Sequence, residues 1–502
     1  MSPLSSLTKT QIRDRIRGAL LGNAVGDAYG LATEFMPKRA AVERYGNGPI
    51  AFGLEPGYPV WEDSHRCILE RNDFTDDTDQ MLLMLQSLQQ TADGILHPLN
   101  FAKKMAEWND FGFPELGTPA RGIGYTVGQV MGHNEFRTNP HKAAFVIWDE
   151  AGRNLAPNGA VMRTAPVGIE HFWDEPRVVQ NALAAAKITH ADPRSVIAAL
   201  VSAVLISRLL RGGGQDPEAD RNRIWNPKLA GSGDDQTTVR YKGELLEYLR
   251  RGSDFDGNRT RSPEYEAETP DKKFKHKDFR ALQAKRLAHE AAHPPNLPEP
   301  HPVVEWNKDR PKPVPRPHIG WAGIDAVGED TAMGALARQV LDDYKFLLLE
   351  TDVVPLPRGP QPLSYQQRWT EELLASCFPQ NMNQLELGSA SAMGYAYKCI
   401  GIAYYGATRN LDPSPDPAQP EYQGPSGLFR GLMEQVTLEG GDADTNAAVM
   451  GSLLGARFGL EEGVPRGWWT GLQHLDWLNG TIDQYLDRVM GQFEEAENAA
   501  ES

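Results

Sequence analysis

Two short acidic segments near opposite ends of the 502-residue chain constrain its fold most strongly. Residues 75–78 have the sequence TDDT and residues 442–445 the sequence DADT, and an apolar run with helical spacing follows each segment directly. Carboxylate and hydroxyl oxygens without nearby Cys or His suit Mg²⁺, Mn²⁺ or Ca²⁺ better than zinc. We therefore expect the chain to fold end to end, so that the two segments form one metal site.

Helix capping is the alternative interpretation of these segments. Asp and Thr are preferred N-caps, and their charge or dipole suits the positive end of a helix. A cap needs only one or two such residues, whereas each segment has at least three oxygen-bearing side chains. Clustered carboxylates repel one another unless a cation lies between them. Gly440 and Gly441 also precede the second segment and allow a tight turn beside a ligand. Two such clusters in one chain favour the metal site.

Three further segments complete a recognisable pattern. They are residues 17–36 (RGALLGNAVGDAYGLATEFM), 158–163 (NGAVMR) and 189–192 (THAD). Together with FTDDT at 74–78 and GGDADTN at 440–446, in this order, they make the chain resemble the ADP-ribosylglycohydrolase family. The resemblance covers about residues 13–210 and 380–485, and the motifs are specific as a set, although each is weak alone.

The resemblance implies an all-α fold, a single compact orthogonal helical bundle, with a dinuclear magnesium centre that Mn²⁺ could also occupy. It also implies an enzyme that cleaves the bond between C1″ of ADP-ribose and an acceptor. The residues themselves support the helical fold. Residues 79–90, 178–190, 193–210 and 445–457 are rich in strong helix formers, with apolar residues at intervals of three and four.

The resemblance also identifies the residues of the reaction centre. The implied metal ligands are Thr75, Asp76, Asp77, Asp442, Asp444 and Thr445. The implied catalytic residues are Glu34, Asp76, Asp77 and Asp444. Two ions about 4 Å apart would hold the ribose hydroxyls and orient a water molecule, and cleavage would pass through an oxocarbenium-like state. For Glu34, the alternative is an ordinary surface glutamate at a helix end.

The same comparison implies a binding site for ADP-ribose that contains Asn158, Gly159, Met162, His190 and Tyr125. The loop after Pro157 is expected to lead into a helix whose first N–H groups bind the pyrophosphate. Other roles remain open. Met162 can be a core residue and Arg163 an ion-pair partner, an aromatic residue such as Tyr125 is more often buried, and a single histidine is often structural.

Two features of residues 17–30 concern packing. Gly18, Gly22, Gly26 and Gly30 recur every four residues, which indicates close approach of another helix in a soluble core, since charged neighbours exclude a lipid-embedded span. Asp27 is expected to be buried and hydrogen-bonded, orienting a neighbouring loop rather than binding a ligand.

Length and composition indicate one domain, residues 11–490, with flexible tails at 1–10 and 493–502. Residues 211–317 are charged and rich in proline, so we expect a loop-rich insertion there. The net charge of −16 argues against a nucleic-acid partner. Three cysteines without paired spacing indicate the cytoplasm, with access to the nucleus left open. The longest apolar run, 196–206, is too short to cross a membrane, and the oligomeric state stays open.

Three functions are consistent with this pattern. The first is release of ADP-ribose from a modified protein or a small conjugate, with a preference for the arginine linkage because residues 26–36 are most similar to the arginine-specific bacterial branch. The second is a catalytically silent relative that binds ADP-ribose or has a structural role. The third is another magnesium-dependent hydrolase that acts on a phosphoester.

Overall fold

The computed structural model describes residues 4–61, 63, 65–231, 235–250, 331–355, 363–390, 393–411 and 417–501. These residues form α-helices and short 3₁₀ turns, with isolated β-bridges and no strand among them. The α-helices are α1 Lys9–Gly30, α2 Lys38–Tyr45, α3 Asp76–Gln89, α4 Pro98–Phe111, α5 Tyr125–Gly132, α6 Pro140–Glu150, α7 Ala165–Ile169, α8 Glu175–Lys187, α9 Pro193–Leu210, α10 Pro217–Asn222, α11 Gln236–Arg250, α12 Ala332–Tyr344, α13 Phe346–Leu349, α14 Tyr365–Cys377, α15 Ala396–Ala407, α16 Gly424–Glu439, α17 Ala443–Phe458, α18 Arg466–Trp469 and α19 Leu475–Glu501. The fold is all-α, as predicted.

Helices α1 and α17 pack backbone against backbone from Gly18 to Gly30 of α1, and no other pair in the described residues is in such extensive contact. The four glycines of α1 form the contact. A Cβ atom on Gly22 would lie 2.5 Å from the carbonyl oxygen of Gly451, and one on Gly26 would lie 2.2 Å from that of Ala447. Side chains at these positions would hold the helices apart. The predicted close approach of a second helix is therefore confirmed, and its partner is the helix that begins with the second acidic segment.

Helix α9 forms the centre of the core and contacts α7, α8, α15 and α17. Every one of its residues is buried. Among the described helices, only α9 is long and apolar enough to cross a membrane, with a mean hydropathy of 1.6 over 18 residues. This span is longer than the apolar run at 196–206 that was considered above. A helix buried on all sides in a protein core has the same composition.

The predicted insertion and tail differ from what the structure shows. Residues 211–231 and 235–250 contain α10 and α11, and they contribute Trp225, Tyr241 and Leu245 to the core. The rest of the predicted insertion, 251–317, lies outside the described residues. At the C-terminus, α19 continues from 475 to Glu501 and Phe493 is buried. Residues 493–501 are thus part of α19, whereas the sequence predicts a flexible tail from 493; the flexibility of this end stays a prediction.

Substitution of Gly26 tests the contact between α1 and α17. We expect Gly26→Ala to lower the free energy of unfolding by about 1–3 kcal/mol or more, because the added methyl group meets backbone atoms that cannot rotate away. Gly243→Ala is the matched control, since a Cβ there meets nothing within 4 Å, and alanine should stabilise α11 by up to about 1 kcal/mol. Urea denaturation of both variants measures the difference. Equal stabilities would contradict the close-packing interpretation.

Candidate functional site

The two acidic segments meet at the N-termini of α3 and α17. The Thr445 hydroxyl donates a hydrogen bond to Asp77 Oδ2 at 3.2 Å, although these residues are 368 positions apart in the chain. Asp77, Asp444 and Thr445 are buried. The structure thus brings together the two ends of the chain, as the sequence predicts.

Capping explains only part of this arrangement. Thr75 is the N-cap of α3 and accepts a hydrogen bond from the backbone N–H of Asp77. Asp442 occupies the N-cap position of α17, but its side chain makes no capping hydrogen bond. Its Oδ2 instead accepts a hydrogen bond from the Asn158 amide at 2.6 Å. Capping hydrogen bonds therefore account for Thr75 but leave the carboxylates of the two segments unexplained.

Asp27 organises the first segment from behind. It is completely buried and accepts hydrogen bonds from the backbone N–H groups and the hydroxyls of both Thr75 and Thr78, at 2.6 to 3.1 Å. Both carboxylate oxygens are used in this way, which holds the turn before α3 in place. Asp27 thus has the orienting role that the sequence predicts.

Five carboxylates form an acidic cluster at this point, those of Glu34, Asp76, Asp77, Asp442 and Asp444. One carboxylate oxygen from each of Glu34, Asp442 and Asp444 lies within 4.8 Å of the other two. Burial, followed by the charge of Glu34 and other neighbouring carboxylates, raises the pKa of Asp76 to about 7. Burial likewise raises the pKa of Asp442 to about 6. The pKa values of Asp77 and Asp444 are well above the ordinary range for the same reason.

Two oxygens of this cluster have no hydrogen-bond donor. Asp77 Oδ1 and Asp444 Oδ1 are buried and accept no hydrogen bond from any described residue. Buried carboxylate oxygens are normally paired with donors or coordinate metals. Hard oxygen ligands, mutual repulsion and two unpaired oxygens fit divalent cations such as Mg²⁺ or Mn²⁺. The residues that would hold them are those predicted from the sequence, with Glu34 close beside them.

Glu34 follows a 3₁₀ turn, Leu31–Thr33, that brings it back from the end of α1 over the cluster. His65 Nε2 lies 2.5 Å from Glu34 Oε2, and this hydrogen bond raises the pKa of His65. The Arg66 side chain donates to the carbonyl oxygens of Leu31, Ala32 and Glu34 and so fixes the turn. Glu34 is buried, not at the surface.

The loop after Pro157 approaches the cluster from the Asp442 side. It consists of consecutive turns, and α7 begins only at Ala165. The loop thus leads into a helix, as predicted, and within it Val161 and Met162 donate their N–H groups to the Asn158 carbonyl oxygen. Binding of a pyrophosphate there stays a prediction. The backbone N–H groups of Gly159 and Ala160 have no acceptor among the described residues. Two consecutive N–H groups in a turn still offer a site for an anion.

A buried chain of hydrogen bonds connects Asp76 to His190. Gln80 donates to Asp76 Oδ2, Arg163 donates to Gln80 Oε1, and the other Arg163 nitrogen donates to the Thr189 hydroxyl, at 2.6 to 2.8 Å. Arg163 thus bonds to neutral groups here and forms no carboxylate ion pair in the described structure.

This chain sets the protonation state of His190. Because Thr189 Oγ1 accepts from Arg163, its one proton is available for His190 Nδ1, 2.7 Å away. The proton of a neutral imidazole then resides on Nε2. Burial, and next the charge of Arg163, lower the pKa of His190 well below its usual value. Nε2 is buried without a partner among the described residues, and its ring packs against Gly159. His190 therefore offers an unused N–H donor beside the loop.

The other predicted binding residues have different surroundings. Tyr125 is 77% exposed at the start of α5 and so is no core residue. The glycine loop before it passes the cluster, since a Cβ on Gly122 would lie 3.2 Å from Asp76 Oδ1. Met162 packs in the hydrophobic core. A role for Met162 in binding remains a prediction, and its packing alone accounts for its burial.

Several residues of the site were not identified from the sequence. Gln80 lies one helical turn after Asp76, and this spacing is a signal that helix geometry could have revealed. His65 lies in an irregular loop, and no local pattern connects it with Glu34. No local pattern connects Gly394 with the site either, although its carbonyl oxygen accepts a hydrogen bond from the Asn158 N–H at 2.8 Å.

Comparisons with known proteins agree with these observations. The family model described as ADP-ribosylglycohydrolase matches residues 8–283 and 325–498, a wider range than the motifs alone indicate. The chain is 30% identical over 214 residues to the ADP-ribosyl-[dinitrogen reductase] glycohydrolase of Rhodospirillum rubrum, covering 41% of this chain and 62% of that protein. It is 24% identical over 217 residues to the ADP-ribosylarginine hydrolase Tri1 of Serratia proteamaculans, covering 43% and 52%.

The matched regions thus span between half and two thirds of these relatives. An uncharacterised protein of Archaeoglobus fulgidus is 28% identical over 196 residues, covering 39% of this chain and 56% of that protein. Among solved structures, a chain titled ADP-ribosylglycohydrolase-related protein complex has a TM-score of 0.46 and 21% identity, with 96% of this chain and 99% of that chain covered. Because the family model matches most of the sequence, the chain belongs to the ADP-ribosylglycohydrolase family.

Proposed function

We propose that the protein is a magnesium-dependent hydrolase that releases ADP-ribose from an ADP-ribosylated protein side chain, with arginine as the favoured acceptor. The observation that carries the proposal is the meeting of the two acidic segments, with two unpaired buried carboxylate oxygens, beside a loop with unused N–H donors. Family membership supports the reaction class. The free cysteines agree with the cytoplasm as its location.

Six side chains would hold the metal ions. They are Thr75, Asp76, Asp77, Asp442, Asp444 and Thr445. Two divalent cations bound there would act as Lewis acids toward the distal ribose hydroxyls and lower the pKa of a water molecule. Asp27 keeps the Thr75 turn in place, and Asn158 orients Asp442. These hydrogen bonds would hold two of the ligands in position before the ions bind.

Glu34 is the residue placed to move a proton. Its carboxylate lies over the cluster, and His65 restricts its orientation through the hydrogen bond to Oε2. In the proposed reaction the bond from C1″ to the acceptor breaks, water supplies the oxygen for the new C1″–OH bond, and Glu34 receives the water proton and passes it to the leaving group.

The loop at 158–163 and His190 would bind the ADP-ribose part. The Gly159 and Ala160 N–H groups and the neutral Nε2–H of His190 are donors without acceptors in the described structure, which is the chemistry that a pyrophosphate or ribose oxygen requires. The preference for arginine has separate support, namely the similarity to the ADP-ribosylarginine hydrolase of Serratia proteamaculans and the resemblance of residues 26–36 to the arginine-specific bacterial branch.

Removal of two carboxylates tests the reaction centre. We expect Asp76→Asn with Asp444→Asn to abolish release of free ADP-ribose from arginine-linked substrate, measured by chromatography with magnesium and again after chelation. The same double substitution should raise the unfolding temperature without magnesium, because carboxylate repulsion is relieved. Asp487→Asn, an exposed residue of α19, is the control. Serine-linked substrate tests the linkage, and release of inorganic phosphate instead would indicate a phosphoesterase.

Magnesium should stabilise the protein more strongly as the pH rises. The folded carboxylates have raised pKa values, about 7 for Asp76 and about 6 for Asp442, so without metal the folded state binds more protons than the unfolded state. Its stability therefore falls as pH increases from about 4 to about 7. Magnesium competes with those protons. Thermal unfolding at pH 5.5 and pH 8 should show the larger magnesium-induced increase at pH 8, and equal increases would contradict a carboxylate site.

His190→Phe should weaken ADP-ribose binding about tenfold or more, because a hydrogen bond to a charged group contributes roughly 1.5–3 kcal/mol. Since the pKa of His190 is lowered well below 6.5, the imidazole stays neutral, and the effect should be the same at pH 6 and pH 8. Calorimetry measures both affinities. A histidine that binds as a cation would instead lose affinity as the pH rises through its pKa, and unchanged binding in the variant would make His190 structural.

A further inference from the structure

Phe35, the residue directly after Glu34, combines exposure with an unfavourable backbone conformation. Its φ is +59°, in the left-handed region that bulky residues rarely adopt. Its side chain is 55% exposed. Such a conformation persists only where the surrounding structure enforces it, and it concentrates at functional sites. Burial in the core does not explain this phenylalanine.

Hydrogen bonds to the second acidic segment enforce the conformation. The Phe35 N–H donates to the Gly441 carbonyl oxygen at 2.6 Å, and the Gly441 N–H donates to the Met36 carbonyl oxygen at 2.8 Å. Gly441 immediately precedes Asp442. The backbone of Phe35 is therefore attached to the loop that carries the candidate metal ligands. We call the edge of the acidic cluster that is formed by Glu34, Phe35 and His65 the rim.

The ring of Phe35 has a defined neighbour. The His65 ring lies 5.0 Å away, centroid to centroid, at an interplanar angle of 52°, and His65 is hydrogen-bonded to Glu34. The rim at this point thus consists of two aromatic rings and a carboxylate. An aromatic face next to carboxylates is a surface that attracts a flat cation, through the ring quadrupole and through charge.

We propose that Phe35 determines acceptor specificity by stacking against a planar cationic group, the guanidinium of an ADP-ribosylated arginine. This inference rests on the proposed function and goes beyond it by naming the residue that selects the linkage. The loop at 158–163 and His190 approach from the Asp442 side and would take the ADP-ribose part. Glu34 and Phe35 adjoin the same Asp442 through Gly441, so a substrate held by that loop would have its C1″ group next to them.

The charge at the rim favours the same acceptor. When ionised, Glu34, Asp76, Asp77, Asp442 and Asp444 together with Asp27 behind them carry six negative charges, two more than two divalent cations neutralise. A protonated His65 at Glu34 would offset one of them, so an excess of negative charge remains. A guanidinium presents a flat face to the ring and its N–H groups to a carboxylate such as Glu34. The oxygen of a serine linkage offers neither a face nor a charge, so Phe35 would contribute little to its binding.

The test compares Phe35→Leu and Phe35→Tyr on two substrates, ADP-ribosyl-arginine peptide and ADP-ribosyl-serine peptide, with magnesium. Leucine retains an apolar side chain without an aromatic face, and tyrosine retains the face. For the arginine substrate we expect kcat/KM of Phe35→Leu to fall about fivefold to thirtyfold, with the tyrosine variant close to wild type. The inhibition constant of free ADP-ribose should not change in either variant. Val239→Ala, an exposed position on α11, is the control.

The other outcomes would contradict either the stacking role alone or the proposed function as well. Wild-type protein that releases ADP-ribose from neither substrate would contradict the proposed function and this inference with it. Wild-type activity on the arginine substrate that Phe35→Leu retains in full would overturn only the stacking role. An equal loss for Phe35→Leu on both substrates, together with weaker inhibition by free ADP-ribose, would place Phe35 in the ADP-ribose site and would also overturn it. Unfolding temperatures show whether each variant is folded.

Discussion

The contact between α1 and α17 determines where every other part of the site lies. Glycines spaced four residues apart let the two backbones approach until a single methyl group would collide with the facing carbonyl oxygens. Helix α1 ends just before Glu34, and α17 begins with the second acidic segment. A change in the spacing or register of this pair would therefore separate Glu34 from Asp442 and Asp444, even though the glycines of the seam take no part in the proposed chemistry.

Around the α1–α17 pair, buried hydrogen bonds hold the side chains of the acidic cluster from several directions. Asp27 orients the turn before α3, Asn158 orients Asp442, and the series from Gln80 through Arg163 to Thr189 connects Asp76 with His190. Such networks are unfavourable when incompletely satisfied. Among the described residues, the atoms they leave without a partner include the Asp77 and Asp444 Oδ1 atoms, which suit a cation, and His190 Nε2, which suits an anion, as well as Arg163 Nε. The same loop thus contacts the candidate metal centre and the candidate ADP-ribose site.

Much of this was predictable from sequence, for identifiable physical reasons. The four-residue glycine repeat indicates close helix packing, and the TDDT and DADT segments indicate a shared site because their charges are hard to explain separately. The role of Asp27 followed from the cost of burying an unpaired carboxylate. The partnership of His65 with Glu34 and the left-handed conformation of Phe35 were not predictable, since both result from long-range contacts. The loop after Pro157 was predicted to lead into a helix, but the turns that separate it from α7 at Ala165 were not, because Pro157 marks a loop without fixing its length.

The 368-residue separation between Thr445 and Asp77 also has a consequence for the order of events during synthesis. The first acidic segment leaves the ribosome early, when Asp27 is already available to hold its turn but the second segment has not yet been made. Until α17 follows, the glycine face of α1 lacks the helix that covers it. The candidate metal centre therefore cannot be complete before residues 442–445 join the fold, and contacts over so long a range slow folding.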